Sequence, residues 1–77
     1  MNLKINSLYR HFKGGVYEVL LIAKDVDTLE DIVVYQNIKD KQIWTRKYTE
    51  FASQVDKEKY PDILDTYRFT EIENKNI

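Results

Sequence analysis

Between Leu8 and Ile72 the apolar residues come in short runs rich in Val, Ile, Tyr and Phe, each closed by glycine, charged or amide residues. Such runs, broken at regular intervals by turn chemistry, are the pattern of β-strands. They predict strands over 8–13, 16–24, 32–38, 42–47 and 66–72. Helical spacing shows only in "YTEFASQV", where Tyr48, Phe51 and Val55 would share one side of a short helix and Thr49 could cap it. The stretch "EKYPDILD" holds the only proline and reads as loop with at most one helical turn. The end, "ENKNI" (73–77), reads as frayed.

Two hairpins follow from this pattern. Gly14-Gly15 offers the positive φ angles that a two-residue hairpin turn requires. Such a turn sets Lys13 opposite Val16, Phe12 opposite Tyr17, His11 opposite Glu18 and Arg10 opposite Val19. Because side chains alternate, one face then carries Leu8, Arg10, Phe12, Tyr17, Val19 and Leu21. It is apolar apart from Arg10. The other carries Tyr9, His11, Lys13, Glu18, Leu20 and Ile22. A tight turn at Asp40-Lys41 would pair Ile38 with Ile43, Asn37 with Trp44, Gln36 with Thr45 and Tyr35 with Arg46. Ile32, Val34, Gln36, Ile38, Ile43 and Thr45 fall on one face, and Val33, Tyr35, Asn37, Trp44 and Arg46 on the other.

Large groups occupy both faces, as in a sheet covered on two sides or curled on itself. Five short strands in so small a chain are most economically arranged as a mainly β, five-stranded SH3-like barrel or half-barrel with one short helical turn. A flat meander would leave its edges unprotected. The 77 residues make one domain, with a core expected over about 8–72. A chain of this size buries only about 60% of the surface it exposes unfolded, so a deep water-excluding cleft is hard to build without a second subunit.

Composition narrows the function classes. With no cysteine there is neither a disulfide framework nor a thiolate metal site, which suits a reducing compartment. No apolar run resembles a signal peptide or a membrane span, so the expectation is a soluble cytoplasmic protein without a membrane partner. The net charge of −1 argues against broad contact with nucleic acid. Charge is nonetheless segregated. Lys4, Arg10, Lys13 and Lys24 outweigh Glu18, and Lys39, Lys41, Arg46 and Lys47 outweigh Asp40. Asp25, Asp27, Glu30 and Asp31 crowd one loop, and acidic residues dominate the C-terminal third.

The blocks "YRHFKGGVYEVLLIA", "DIVVYQ", "IWTRK" and "YRFTEI" resemble a small bacterial and phage family designated domain of unknown function 1653. Its members run Y-x-H-[FY]-K-G-x-x-Y-x-V-x-x-I-A, then L-V-V-Y, W-x-R-P, a short turn containing Phe, and R-F. The likeness covers roughly 8–72. Leu29 stands near a place where the family commonly has glycine, Lys47 where proline usually follows W-x-R, and 56–66 is longer than usual. The resemblance implies a compact β-rich domain and no established activity.

Each candidate site has a plain alternative. His11 could touch a ligand, but across from Glu18 it reads first as a cross-strand pair contributing about 0.2–1 kcal/mol. It is the only histidine, and no cysteine is present to complete a metal site. Arg10, on an apolar face, must find a carboxylate of the C-terminal strand such as Glu71, or backbone carbonyls, or wait for an anion. Arg46 lies beside Trp44 and Tyr35, where a guanidinium can stack on a ring. Arginines and aromatic planes together can hold a phosphate and a base, or simply cover a small core and tie down the acidic end. The acidic loop lacks the length and glycine of a calcium loop. "KGG" is not a phosphate-binding loop, and no nucleophile motif or carboxylate pair is singled out.

The expectation is therefore a protein without catalytic activity or cofactor. It would bind a small anionic, nucleotide-like ligand through Arg10, His11, Lys13, Tyr35, Gln36, Trp44 and Arg46. The phage membership of the resembled family extends this to sequestering a nucleotide signal used in host defence. Two alternatives stand beside it: a protein- or peptide-interaction module, and a homo-oligomeric structural subunit with Trp44 and Tyr35 buried against a sister chain. Binding of a single nucleic-acid strand ranks below all three.

Overall fold

In the computed structural model, which describes residues 2–72, five strands form one antiparallel sheet. They are β1 (Leu8–His11), β2 (Val16–Lys24), β3 (Asp31–Asn37), β4 (Ile43–Lys47) and β5 (Phe69–Ile72), with a single helical turn, α1 (Tyr48–Phe51), between the last two. The order across the sheet is β4-β3-β2-β1-β5. The sheet is not closed, so the mainly β expectation holds in its half-barrel form. The expected fraying of 73–77 lies outside the described residues.

The first hairpin corrects the sequence reading. Arg10 pairs with Val16, Tyr9 with Tyr17 and Leu8 with Glu18, three residues away from the predicted register. The turn is longer than two residues: the His11 N–H donates to the Gly15 carbonyl (3.0 Å) and the Gly14 N–H to the His11 carbonyl (2.8 Å). Gly14 and Gly15 both take positive φ, +108° and +87°. Phe12 and Lys13 therefore belong to the turn, not to the strand.

A shift by an odd number turns one strand over relative to the other. Tyr9 and His11 now share a face with Tyr17 and Val19, and Arg10 and Glu18 share the opposite one. The energetic reason is plain. The two-residue turn would bury Arg10 in the core face and expose Tyr9, whereas the observed register leaves Tyr9 only 1% exposed. Arg10 instead reaches Asp65, with Nη1 3.2 Å from Oδ2. It does not pair with Glu71, which sits near Lys4. His11 likewise faces Phe69 across β5, not Glu18.

Asp65 Oδ2 is shielded from water and has no other polar partner. This makes the Arg10 pair worth more than an ordinary surface contact. Arg10→Ala is expected to lower stability by about 1–2 kcal/mol, because a shielded carboxylate oxygen is left uncompensated. Chemical denaturation checks this, and Asp65→Asn placed on top of it should recover part of the loss. A change under about 0.5 kcal/mol would put the pair with loose surface bridges.

The second hairpin also departs from its predicted register, but by two, and its faces survive. Tyr35 pairs with Trp44, Val33 with Arg46 and Gln36 with Ile43. The loop is held by Asn37, whose Oδ1 accepts the N–H groups of Lys39 (2.8 Å) and Asp40 (3.1 Å). Lys41 closes it with a φ of +66°. Between β2 and β3 the ladder slips by one residue at Leu20, a β-bulge.

In the acidic loop, Asp25 Oδ1 accepts the N–H groups of Asp27 (2.8 Å) and Thr28 (3.0 Å). Those bonds hold its carboxyl below the usual range. Leu29, standing near the expected glycine, has a φ of +62°, in the region that favours glycine.

The core lies on one face of the sheet: Tyr9, Val19, Val33, Tyr35 and Phe69, closed from above by Phe51 of α1. The Phe51 and Phe69 rings stack 3.9 Å apart at 4°, and Tyr9 and Tyr35 meet Phe51 edge-on at 5.6 and 5.3 Å. Thr49 does not cap α1. Lys47 stands at the cap position without a side-chain bond, and Thr49 lies inside the turn. Val55 is buried but beyond the helix, its N–H donating to the Thr66 carbonyl. The loop that follows is drawn around Lys57, whose Nζ donates to the carbonyls of Ile63 and Asp65, both at 2.6 Å.

Candidate functional site

Where α1 leaves the core face uncovered, the sheet forms a hollow of about 250 Å³ lined by His11, Tyr17, Tyr35, Trp44, Arg46 and Phe69. Strand pairing alone explains the gathering. His11 sits opposite Phe69, and Tyr35 opposite Trp44; Tyr17 and Arg46 are brought in from the neighbouring rungs. Edge-to-face contacts tie the floor together: Tyr17 to Tyr35 at 5.3 Å, Tyr35 to Phe69 at 5.6 Å, and His11 to Phe69 at 4.8 Å. Trp44, on the edge strand, stays 51% exposed and forms a rim.

Two polar groups face this aromatic setting. Arg46 meets Tyr35 through a hydrogen bond and not by stacking on it: Nε donates to the Tyr35 hydroxyl at 3.3 Å. Among the described residues Arg46 pairs with no carboxylate, so its remaining N–H donors stay available. His11 Nδ1 accepts the Lys13 backbone N–H at 3.1 Å, which leaves the ring proton of the neutral imidazole on Nε2. Burial pushes the His11 pKa below its ordinary value, and the charges of Arg46, Arg68 and Lys13 push the same way. The hollow thus offers a neutral histidine N–H and a guanidinium against four aromatic rings.

The lowered His11 pKa fixes a sign. Between its folded value and the unfolded value near 6.5 the unfolded chain binds more protons, so the histidine contributes to stability above that window and loses its contribution as pH falls through it. The melting temperature is therefore expected to drop as pH goes from 7.5 toward 5, by less in His11→Gln. NMR titration of the single histidine reads the same shift directly. A midpoint at or above 6.5 would contradict the burial argument.

Of the residues that the sequence singled out, the structure brings His11, Tyr35, Trp44 and Arg46 together. Arg10 is on the opposite face with Asp65. Gln36 is also there, its Nε2 donating to the Lys41 carbonyl at 2.9 Å. Lys13 lies outside the hollow, its ammonium 4.9 Å from the Tyr60 ring centre. Tyr17 and Phe69 were missed as site residues. Their signal was the parity of Tyr9, His11, Tyr17 and Val19, which only the longer turn reveals.

The fold and hollow together define a small antiparallel β domain with an aromatic, cationic face. A family model described as protein of unknown function (DUF1653) matches residues 7–71, and the chain belongs to that family. The match runs from Ser7, just before β1, to Glu71 within β5, so every residue of the hollow lies within it. No curated protein and no solved structure matches the chain. Among the described residues no helix is long and apolar enough to cross a membrane.

Proposed function

We propose that this protein is a non-catalytic binder of a small anionic ligand of the nucleotide type, held in the hollow between Trp44 and His11. The observation that carries the reading is Arg46. It is a guanidinium without a carboxylate partner among the described residues, anchored by Tyr35 and set into a wall of aromatic rings. A phosphate would take its free N–H donors and the His11 Nε2 proton, while a base would lie against Trp44. The reading is of a cytoplasmic protein, in keeping with its lack of cysteine. Sequestering a nucleotide signal is the role such a binder would serve.

Trp44 is the only tryptophan, so its fluorescence reports on the hollow alone. Titration with adenosine 5′-monophosphate is expected to change that emission with a saturable midpoint in the micromolar range, in line with about 0.3 kcal/mol per ligand atom. No change up to about 1 mM, the equivalent of roughly −4 kcal/mol, would remove the proposal.

One observation favours a second reading. β4 is an edge strand, and its Ile43 and Trp44 side chains are both about half exposed. A peptide strand could add to that edge, with its side chains against those two residues. A partner captured through β4 and indifferent to nucleotide would mark this alternative.

A further inference from the structure

A second hollow, of about 260 Å³, lies next to the first and is lined by Phe12, Lys13, Val55, Asp56, Lys59, Tyr60 and Arg68. The two meet at the His11–Phe12 pair, adjacent residues whose rings are 4.8 Å apart. His11 belongs to the first hollow and Phe12 to the second. The rings run on without a gap: Tyr35 to Phe69 at 5.6 Å, Phe69 to His11 at 4.8 Å, His11 to Phe12 at 4.8 Å, and Phe12 to Tyr60 at 5.1 Å. A chain of ring contacts thus joins the two, buried at Tyr35 and Phe69 and reaching the surface at His11, Phe12 and Tyr60.

The second hollow repeats the chemistry of the first. The ammonium groups of Lys13 and Lys59 stand 4.9 and 5.6 Å from the centre of the Tyr60 ring. Hydrogen bonding to Lys13 lowers the Tyr60 pKa. Arg68 is anchored as Arg46 is, Nε donating to the Ser53 hydroxyl at 3.1 Å, and among the described residues it too pairs with no carboxylate. The one acid present, Asp56, has its Oδ1 turned to the N–H groups of Glu58 (3.0 Å) and Lys59 (3.4 Å) in its own turn. Neither hollow alone reaches the ~300–1,000 Å³ usual for ligand pockets, and the two together do.

We infer that the two hollows are halves of one track, whose ligand is a phosphate-linked pair of nucleosides, one base at Trp44 and the other at Tyr60, with phosphates spread over Arg46, Lys13, Lys59 and Arg68. This rests on the proposed function and extends it from one nucleotide to two. A free dinucleotide and a segment of a single strand share this chemistry.

The test compares adenosine 5′-monophosphate with 5′-phosphorylated diadenylate by Trp44 fluorescence, in the native protein and in a variant carrying Lys13→Gln and Lys59→Gln. Both lysines are exposed, so the fold should survive their loss. Diadenylate is expected to bind the native protein about tenfold or more tightly than the monophosphate, the value of one or two charge-assisted contacts. That advantage should vanish in the variant, while the monophosphate midpoint stays within about twofold. In the native protein, NMR should show the amides of Lys59 and Tyr60 shifting with diadenylate and holding still with the monophosphate. Equal affinities in the native protein, or an advantage that the variant retains, overturn the track and leave the proposed function standing. Failure of both ligands overturns both. A longer 5′-phosphorylated oligoadenylate then separates the sources: affinity rising beyond that of diadenylate points to a strand, and affinity no higher points to a free dinucleotide.

Discussion

Phe51→Ala is expected to cost about 3–5 kcal/mol, the range for removing a fully enclosed phenylalanine. Phe51 is the only buried residue of α1 and has no exposed surface. It stacks on Phe69 and meets Tyr9 and Tyr35 edge-on, so its loss strips partners from three other core rings. Domains hold about 0.05–0.15 kcal/mol of stability per residue, which makes this loss a large share of the total. The melting temperature should fall by about 12–40 °C, given roughly 4–8 °C per kcal/mol at this size. Phe51→Leu keeps most of the volume and should lose far less. A drop under about 5 °C for the alanine variant would mean that α1 does not clamp the sheet.

Arg46→Gln is expected to weaken monophosphate binding by about 10- to 100-fold, since hydrogen bonds to charged groups contribute about 1.5–3 kcal/mol. Arg46→Lys keeps the charge but not the fork of donors, and should fall between the two. Removing the charge also removes one of the cations that depress the His11 pKa, so the histidine midpoint should rise in Arg46→Gln. That second readout separates a local electrostatic role from general damage, since a disordered hollow would move the midpoint back to about 6.5 and broaden the Trp44 signal. A bound phosphate raises the same midpoint by offering His11⁺ a partner, so affinity should grow as pH falls from 8 toward 6. Affinity independent of both Arg46 and pH would place the ligand elsewhere.

How far the sequence carries depends on which physical quantity fixes each feature. Alternation of large β-branched and aromatic residues is strong enough to mark all five strands, and the i, i+3 spacing of Tyr48 and Phe51 marks α1. The faces of β3 and β4 are legible even though their turn is longer than the pattern suggests, because a shift of two preserves parity. The faces of β1 and β2 are not. Gly14-Gly15 serves a two-residue turn and a longer one equally well, and the choice between them is made by the cost of burying Arg10 and exposing Tyr9, a property of the finished core. The site inherits this split. Tyr35, Trp44 and Arg46 come from the hairpin whose parity was readable. The chemistry of His11 singles it out, but its neighbour across the strand is Phe69 and not Glu18, and Tyr17 and Phe69 join the site only in the observed register of the first hairpin. Arg10 drops out because its hairpin turned over, whereas Gln36 keeps the face already read for it, the one away from the hollow.

The bulge at Leu20 makes β2 a strand written in two frames. Odd-numbered residues face the core up to Val19, while beyond the bulge Ile22 is the residue opposite the buried Val33. Leu20 itself pairs with nothing, and the ladder on either side of it is continuous, Val19 with Tyr35 and Leu21 with Val34. The sheet is therefore indifferent, in pairing, to whether that residue exists: a chain lacking it would zip up with every other rung unchanged. A deletion one turn away, at the Gly14-Gly15 loop, has no such neutrality. The strand thus holds one position where length can drift without rewriting the fold, and it lies at Leu20.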